Sequence, residues 1–164
     1  MRTWITVLAL ALSALAGGTA HAQGASGCAP PHVAAMEQLM EDYVAVFNAH
    51  DMSQIGAVLA DDYWTENPLG VFDGLPAMQA VMTSFIAAFP DLTYTIERVV
   101  VNGNQVVLEY SFTATHQGEI FGIPGTGRVV HGRGMEIHLV EDGKIAMTWN
   151  YSDVFRLLGQ LGGL

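Results

Sequence analysis

Glu136 and His138 stand two residues apart in an alternating apolar stretch, and Asn150 follows in the next such stretch, within Asp142-Gly143-Lys144-Ile145-Ala146-Met147-Thr148-Trp149-Asn150-Tyr151-Ser152-Asp153. A carboxylate, an imidazole and a carboxamide are groups that can take, shuttle and steer a proton. Residues an even number apart on a strand share a face, so Glu136 and His138 point together and His131 points away. By the same rule Asn150 shares a face with Thr148 and Ala146, while Met147, Trp149 and Tyr151 cover the other. A carboxylate in an apolar cavity is pushed toward its neutral form, which poises it as a base near neutral pH. Glu136 is therefore the leading proton-transfer candidate. Its bland alternative is a carboxylate at a wet rim or one paired with Arg133 or Arg98. His138 would orient Glu136, shuttle its proton, or simply be a satisfied strand histidine. Asn150 could donate to a developing oxyanion. Asp153, three beyond Asn150, faces the opposite way unless a bulge or the coming helix re-aims it, and reads as the N-cap of a closing helix. His116, at the end of another strand, is either a substrate contact at a mouth or a loop anchor.

The elements that must position these groups follow from spacing. From His32 to Asn48, Val33, Met36, Leu39, Met40, Tyr43, Val44 and Phe47 recur at three and four, predicting a helix with one buried stripe. Asp51, with Gln54 three residues on, predicts a short capped helix to about Leu59. Asp62 to Asn67 reads as a strand stopped by Pro68 and the loop LGVFDG. A further helix is predicted from near Pro76 to near Phe89, because Pro90 disfavours helix at the residue before it. Beyond Pro90 the chain reads as sheet. Leu92–Val101 and Gln105–His116 flank Asn102-Gly103-Asn104 as a hairpin. In the second strand Val106, Leu108, Tyr110, Phe112 and Ala114 form the core-facing set. Strands at Val129–Val140 and Lys144–Tyr151 follow, then a short helix over Val154–Leu161. Helices first and a long meander afterwards predict an α+β domain, with helices packed on a curled sheet around an apolar cavity.

The order of these elements, with Phe89-Pro90-Asp91-Leu92, Ala114-Thr115-His116-Gln117-Gly118, Gly122-Ile123-Pro124-Gly125-Thr126-Gly127-Arg128, Asp142-Gly143-Lys144-Ile145, Trp149 and Gln160-Leu161-Gly162, resembles the SnoaL-like polyketide ester cyclases of the nuclear-transport-factor-2-like superfamily. The resemblance runs from about Val33 to Gly162. It implies a cone-shaped α+β barrel, mostly antiparallel, that pairs as a homodimer through its sheet. It also implies cofactor-free acid-base chemistry on a hydrophobic ester or carbonyl compound. In that family an aspartate at the position of Asn150 is acid and base in an intramolecular aldol closure, and a histidine lies near the position of Glu136. An amide cannot exchange protons near neutral pH, so Asn150 cannot replace that aspartate. The expected catalytic set is Glu136, His138 and Asn150, with Phe47, Tyr63, Phe89, Tyr110 and His116 against a small hydrophobic ligand. The alternative is a binding or oligomerisation module that kept the pocket and lost the proton chemistry.

Other chemistries fit poorly. Histidines and carboxylates are frequent in the second half, but no H-E-x-x-H signature appears and His131 and His138 have opposite parity, so no metal site is expected. The glycine-rich stretch Gly118–Gly127 lacks a G-K-[ST] ending and feeds a strand, which makes it a loop rather than a phosphate cradle. With 16 acidic against 6 basic residues and a net charge of −10, the surface repels nucleic acid and anionic lipid. Residues 1–22 carry Arg2, an apolar run from Trp4 to Ala16 and Ala20-His21-Ala22, the pattern of a cleavable signal peptide too short to span a bilayer. A periplasmic or secreted protein without a membrane anchor is expected, with a flexible linker over 23–31 and a single domain over 32–164. Cys28 is the single cysteine, so no intramolecular disulfide forms.

Overall fold

A computed structural model describes residues 29–163. The predicted signal peptide and Cys28 lie outside the described residues. Helix α1 spans Pro31–Ala49, with proline in its first turn, where its missing N–H costs nothing. It buries Met40, Tyr43, Val44 and Phe47, the stripe expected from the spacing. His50 ends it in the left-handed region at φ 58°, and its Nε2 donates to the Leu92 carbonyl at 2.7 Å, which ties the helix end to the sheet. The capped segment after Asp51 is a correction: Asp51 accepts from the Ser53 N–H, and the turns that follow are a 3-10 helix, Met52–Ala57. It stops short because Leu59 already begins strand β1, Leu59–Asn67, earlier than the predicted Asp62. The loop LGVFDG is a second correction. Gly70–Asp73 forms β2, folding back on β1 with Asn67 opposite Gly70.

Helix α2 is Leu75–Ala88, followed by β3 (Thr93–Asn102), β4 (Gln105–Thr115), β5 (Val129–Glu141), β6 (Lys144–Ser152) and α3 (Val154–Leu161). The sheet order is β2-β1-β6-β5-β4-β3. Only the β1–β6 pair is parallel, so the sheet is mixed and mostly antiparallel. It curls without closing, since β2 and β3 are its two free ends. Side chains serve β3 and β5 where strand partners run out. Asn48 of α1 donates to the Tyr94 carbonyl at 3.0 Å and accepts from its N–H at 2.7 Å. Gln160 of α3 does the same for His131, with both bonds at 2.9 Å.

Two apolar clusters fill the concave side. One joins α1, α2 and β1 around Met40, Phe47, Ile55 and Tyr63; the other gathers Phe89, Leu92, Phe112, Val130, Leu157 and Leu161. Each fully buried side chain of this size contributes about 1.5–3 kcal/mol by leaving water. The clusters do not meet completely. A cavity remains between them, and the register of the central strands decides what forms its floor. Leu108 of β4 is opposite Glu136 of β5, which is opposite Asn150 of β6.

Candidate active site

The cavity measures about 130 Å³. An apolar void of about 150 Å³ holds a benzene-sized ring, so this one accepts a compound of roughly that size in its depth. Its walls are Tyr43 and Phe47 of α1, Tyr63 of β1, Met82 and Phe85 of α2, and Tyr110 and Phe112 of β4. Leu69, at the β1–β2 turn, and Phe121, at a turn in the β4–β5 loop, stand half-exposed at its mouth.

Glu136 is the one acidic side chain buried on this face, 7% exposed. Asn150 donates from Nδ2 to its Oε1 at 2.8 Å, and the Tyr43 hydroxyl donates to the same oxygen at 3.5 Å. On the other oxygen, His138 Nε2 lies 3.3 Å from Oε2, within ion-pair range when the ring is protonated but off the line of a hydrogen bond. His138 is fully buried, and its Nδ1 meets Thr148 Oγ1 at 2.9 Å. The carboxylate is thus held at Oε1, with His138 close to Oε2, Thr148 behind the imidazole and the cavity in front. Tyr63 stands nearby, its hydroxyl buried and without a well-aligned partner. Neither Arg98 nor Arg133 neutralises Glu136. Both reach Glu109 instead, at 3.7 and 3.4 Å: Arg133 shares the outer face with Glu109 by parity, and a register shift between Ile96 and Arg98 sets Arg98 opposite Glu109.

The field of that buried charge is felt around the cavity. Tyr43, Tyr63, Tyr94 and Tyr110 all titrate above the ordinary phenol value, chiefly because burial disfavours the phenolate, and the Glu136 charge adds to the effect at each. These phenols stay protonated at any working pH and act as neutral hydrogen-bond donors.

Of the residues expected at a site, Glu136, Asn150, Phe47, Tyr63 and Tyr110 line the cavity. His138 sits behind Glu136 rather than on the surface of the cavity. Two expectations are corrected. Phe89 is fully buried in the second cluster, its ring 5.4 Å from that of His116, and does not line the cavity. His116 does not line it either: fully buried, it takes Thr126 against Nδ1 through the hydroxyl (3.1 Å) and the backbone N–H (3.3 Å), anchoring the β4–β5 loop. Asp153 caps α3 as expected, accepting from the Arg156 N–H at 2.9 Å. The outward parity of Trp149 also holds, its ring meeting Trp64 edge-to-face at 5.9 Å.

Spacing alone did not reveal the Tyr43 contact with Glu136, which joins residues 93 positions apart. It also missed Gly132 and Gly134, although glycine inside a strand often marks close approach of another group. A Cβ on Gly132 would lie 2.1 Å from the Phe112 ring, and one on Gly134 would lie 2.5 Å from the Tyr110 hydroxyl oxygen. Among the described residues, no three His, Cys, Asp or Glu side chains are grouped to hold a metal ion. No described helix is long and apolar enough to cross a membrane.

An open, curled sheet with helices closing its concave side over a polar-floored cavity defines a nuclear-transport-factor-2-like α+β protein. The chain belongs to the SnoaL-like polyketide cyclase family, whose sequence model matches residues 37–161. Among solved structures it is similar to TsrD from Streptomyces laurentii, at 34% identity and a TM-score of 0.74 over 80% of this chain and 97% of that one. It is also similar to AclR, a putative hydroxylase from Streptomyces galilaeus, at 30% identity and a TM-score of 0.73 over 80% and 98%. IdmH, a putative polyketide cyclase from Streptomyces antibioticus, aligns at 26% identity and a TM-score of 0.67 over 77% and 97%. A search of curated proteins gives no significant match.

Proposed function

We propose that this protein is a cofactor-free acid-base enzyme of the cyclase or isomerase type, moving a proton at the carbon beside the carbonyl of a small hydrophobic compound. Glu136 is the proton-transfer group. One observation carries the reading: a buried carboxylate, held by Asn150 and backed by His138, faces an aromatic cavity, while both nearby arginines pair with Glu109 and not with it. The aspartate expected at the position of Asn150 is absent, yet Glu136 is the direct register partner of that position. In this chain the acid stands one rung across the ladder, and the amide donates to it. In the step itself a C–H bond breaks, its proton passes to Glu136, and the electron pair moves onto the carbonyl oxygen. Return of the proton, or attack of the enolate on a second carbonyl, completes an isomerisation or a ring closure.

The test is hydrogen–deuterium exchange at the carbon next to the carbonyl, followed by NMR in D2O with small ketones such as acetophenone. Exchange catalysed by the protein and lost in Glu136→Gln is the expected result. Exchange no faster with the protein than with Glu136→Gln would refute it. The amide at Asn150 favours a second reading, a binding module without turnover, which predicts saturable ketone binding and no exchange.

Two attributes accompany this proposal. Residues 1–22 support export to the periplasm or beyond, checked by whether the protein recovered from an expressing bacterium begins at Gln23. The outer sheet face, with Met135, Met147 and Tyr151 exposed beside Trp64 and Trp149, supports a homodimer through the sheet. Sedimentation of Trp149→Glu against the unaltered protein tests that pairing.

A further inference from the structure

We propose that Tyr110 is a catalytic residue of this site, the donor that holds the substrate's carbonyl oxygen while Glu136 takes the proton. The inference rests on the acid-base reading above and comes from accounting for hydrogens. The Asn150 amide has two N–H bonds. One goes to Glu136 Oε1 at 2.8 Å and the other to the Tyr110 hydroxyl oxygen at 3.0 Å. The amide must present nitrogen to this side, because an anionic carboxylate only accepts. Tyr110 is therefore an acceptor from Asn150, and its own hydrogen is left to point elsewhere. The Ser152 side chain comes near the hydroxyl, but no aligned hydrogen bond takes that hydrogen among the described residues, and Tyr110 and Ser152 both line the cavity.

The other phenols are placed differently. Tyr43 spends its hydrogen on Glu136 Oε1. Tyr94 packs edge-to-face on Tyr110, ring centres 5.4 Å apart, and no hydrogen bond fixes its hydroxyl. Tyr110 alone is oriented by the same amide that orients the base. One amide nitrogen thus bridges the base and the oxygen donor, at 2.8 and 3.0 Å, and holds both at the floor of the same cavity. Gly134 makes the placement, since any side chain there would push into the Tyr110 hydroxyl. Burial, and then the Glu136 charge, raise the Tyr110 pKa above that of an ordinary phenol, so it donates a hydrogen bond without losing its proton. As the C–H bond breaks and charge gathers on the carbonyl oxygen, that hydrogen bond strengthens. Donors of this kind act through the transition state more than through binding.

The experiment uses acetophenone labelled with 13C at the carbonyl, bound to the full-length mature protein. A hydrogen bond to the oxygen moves the carbonyl resonance downfield. Tyr110→Phe and Gly134→Ala, which respectively remove the hydroxyl and displace it, are expected to abolish the shift and slow exchange about 100-fold. Affinity should change less than about tenfold. Tyr94→Phe should keep the shift. Glu136→Gln should keep the shift but lose exchange, so a failure of the base and a failure of the donor are told apart. A downfield shift that persists in folded Tyr110→Phe overturns the proposal, as does the absence of a shifted carbonyl signal in the unaltered protein at millimolar acetophenone.

Discussion

His138 and His116 are both fully buried, both place Nδ1 against a threonine hydroxyl (2.9 and 3.1 Å), and both leave Nε2 without an aligned hydrogen bond. What surrounds them differs. His138 has the Glu136 carboxylate 3.3 Å from Nε2, with a cavity beyond it. His116 has the Phe89 ring on one side, and the Thr126 N–H donating to Nδ1 fixes its remaining proton on Nε2. A buried histidine with a threonine partner is therefore not a site by itself. It becomes part of one when it backs a charge that faces open space.

The largest effect that separates the two regions belongs to Glu136. Glu136→Gln should reduce ketone exchange by roughly 100- to 10,000-fold, the range for a positioned general base, with the near-UV circular dichroism of the folded protein retained. Exchange surviving in that variant would erase the distinction between the two histidines. His116→Ala should instead destabilise the protein by about 2–4 kcal/mol, through an emptied core position and a freed loop, and leave exchange per folded molecule unchanged. The denaturation midpoint and the rate at saturating ketone measure the two separately. His138→Ala should lose stability on a similar scale and also slow exchange about tenfold, because the imidazole 3.3 Å from the carboxylate is removed, with a displaced pH–rate profile. An unmoved profile would reduce His138 to packing.

Alkaline stability sharpens the same comparison. Folding raises the pKa of Tyr43, Tyr63, Tyr94 and Tyr110, burial being the main cause. An acid raised in this way contributes stability that is whole below its unfolded pKa, about 10 for tyrosine, and is lost as pH climbs from there through the folded value. Tm should therefore fall steeply above about pH 10. The fall should be shallower in Glu136→Gln, which removes the charge that adds to the shift at each phenol. His116→Ala should leave its shape unaltered. The smallest effect is expected at Gln160→Ala, which removes the two bonds to His131 at the edge of β5 and should cost about 1 kcal/mol.

Much of the fold was legible in the sequence because it rests on local rules. The three-and-four spacing of Met40, Tyr43, Val44 and Phe47 places the buried stripe of α1, and the Val106 to Ala114 alternation places the inner face of β4. Pro90 and Asp153 mark helix boundaries through backbone constraints that act within a few residues. Strand β2 was hidden because glycine and proline around LGVFDG read as loop, and only pairing with β1 makes those residues a strand. The helix expected after Asp51 became 3-10 because β1 starts at once and leaves no room for further turns.

The site divides along the same line. Parity by itself determined that Glu136 and His138 share one face and that Trp149 and Tyr151 lie opposite to Asn150, because alternation is a property of the single strand; which face turns inward came from the family resemblance. It could not tell that Arg98 and Arg133 pair with Glu109, that Asn150 is the rung opposite Glu136, or that His116 turns inward to hold Thr126. Those facts depend on register between strands and on the packing of α1 and the β4–β5 loop over the sheet. Which carboxylate meets which partner is set by contacts between residues distant in sequence, and those exist only once the chain has folded.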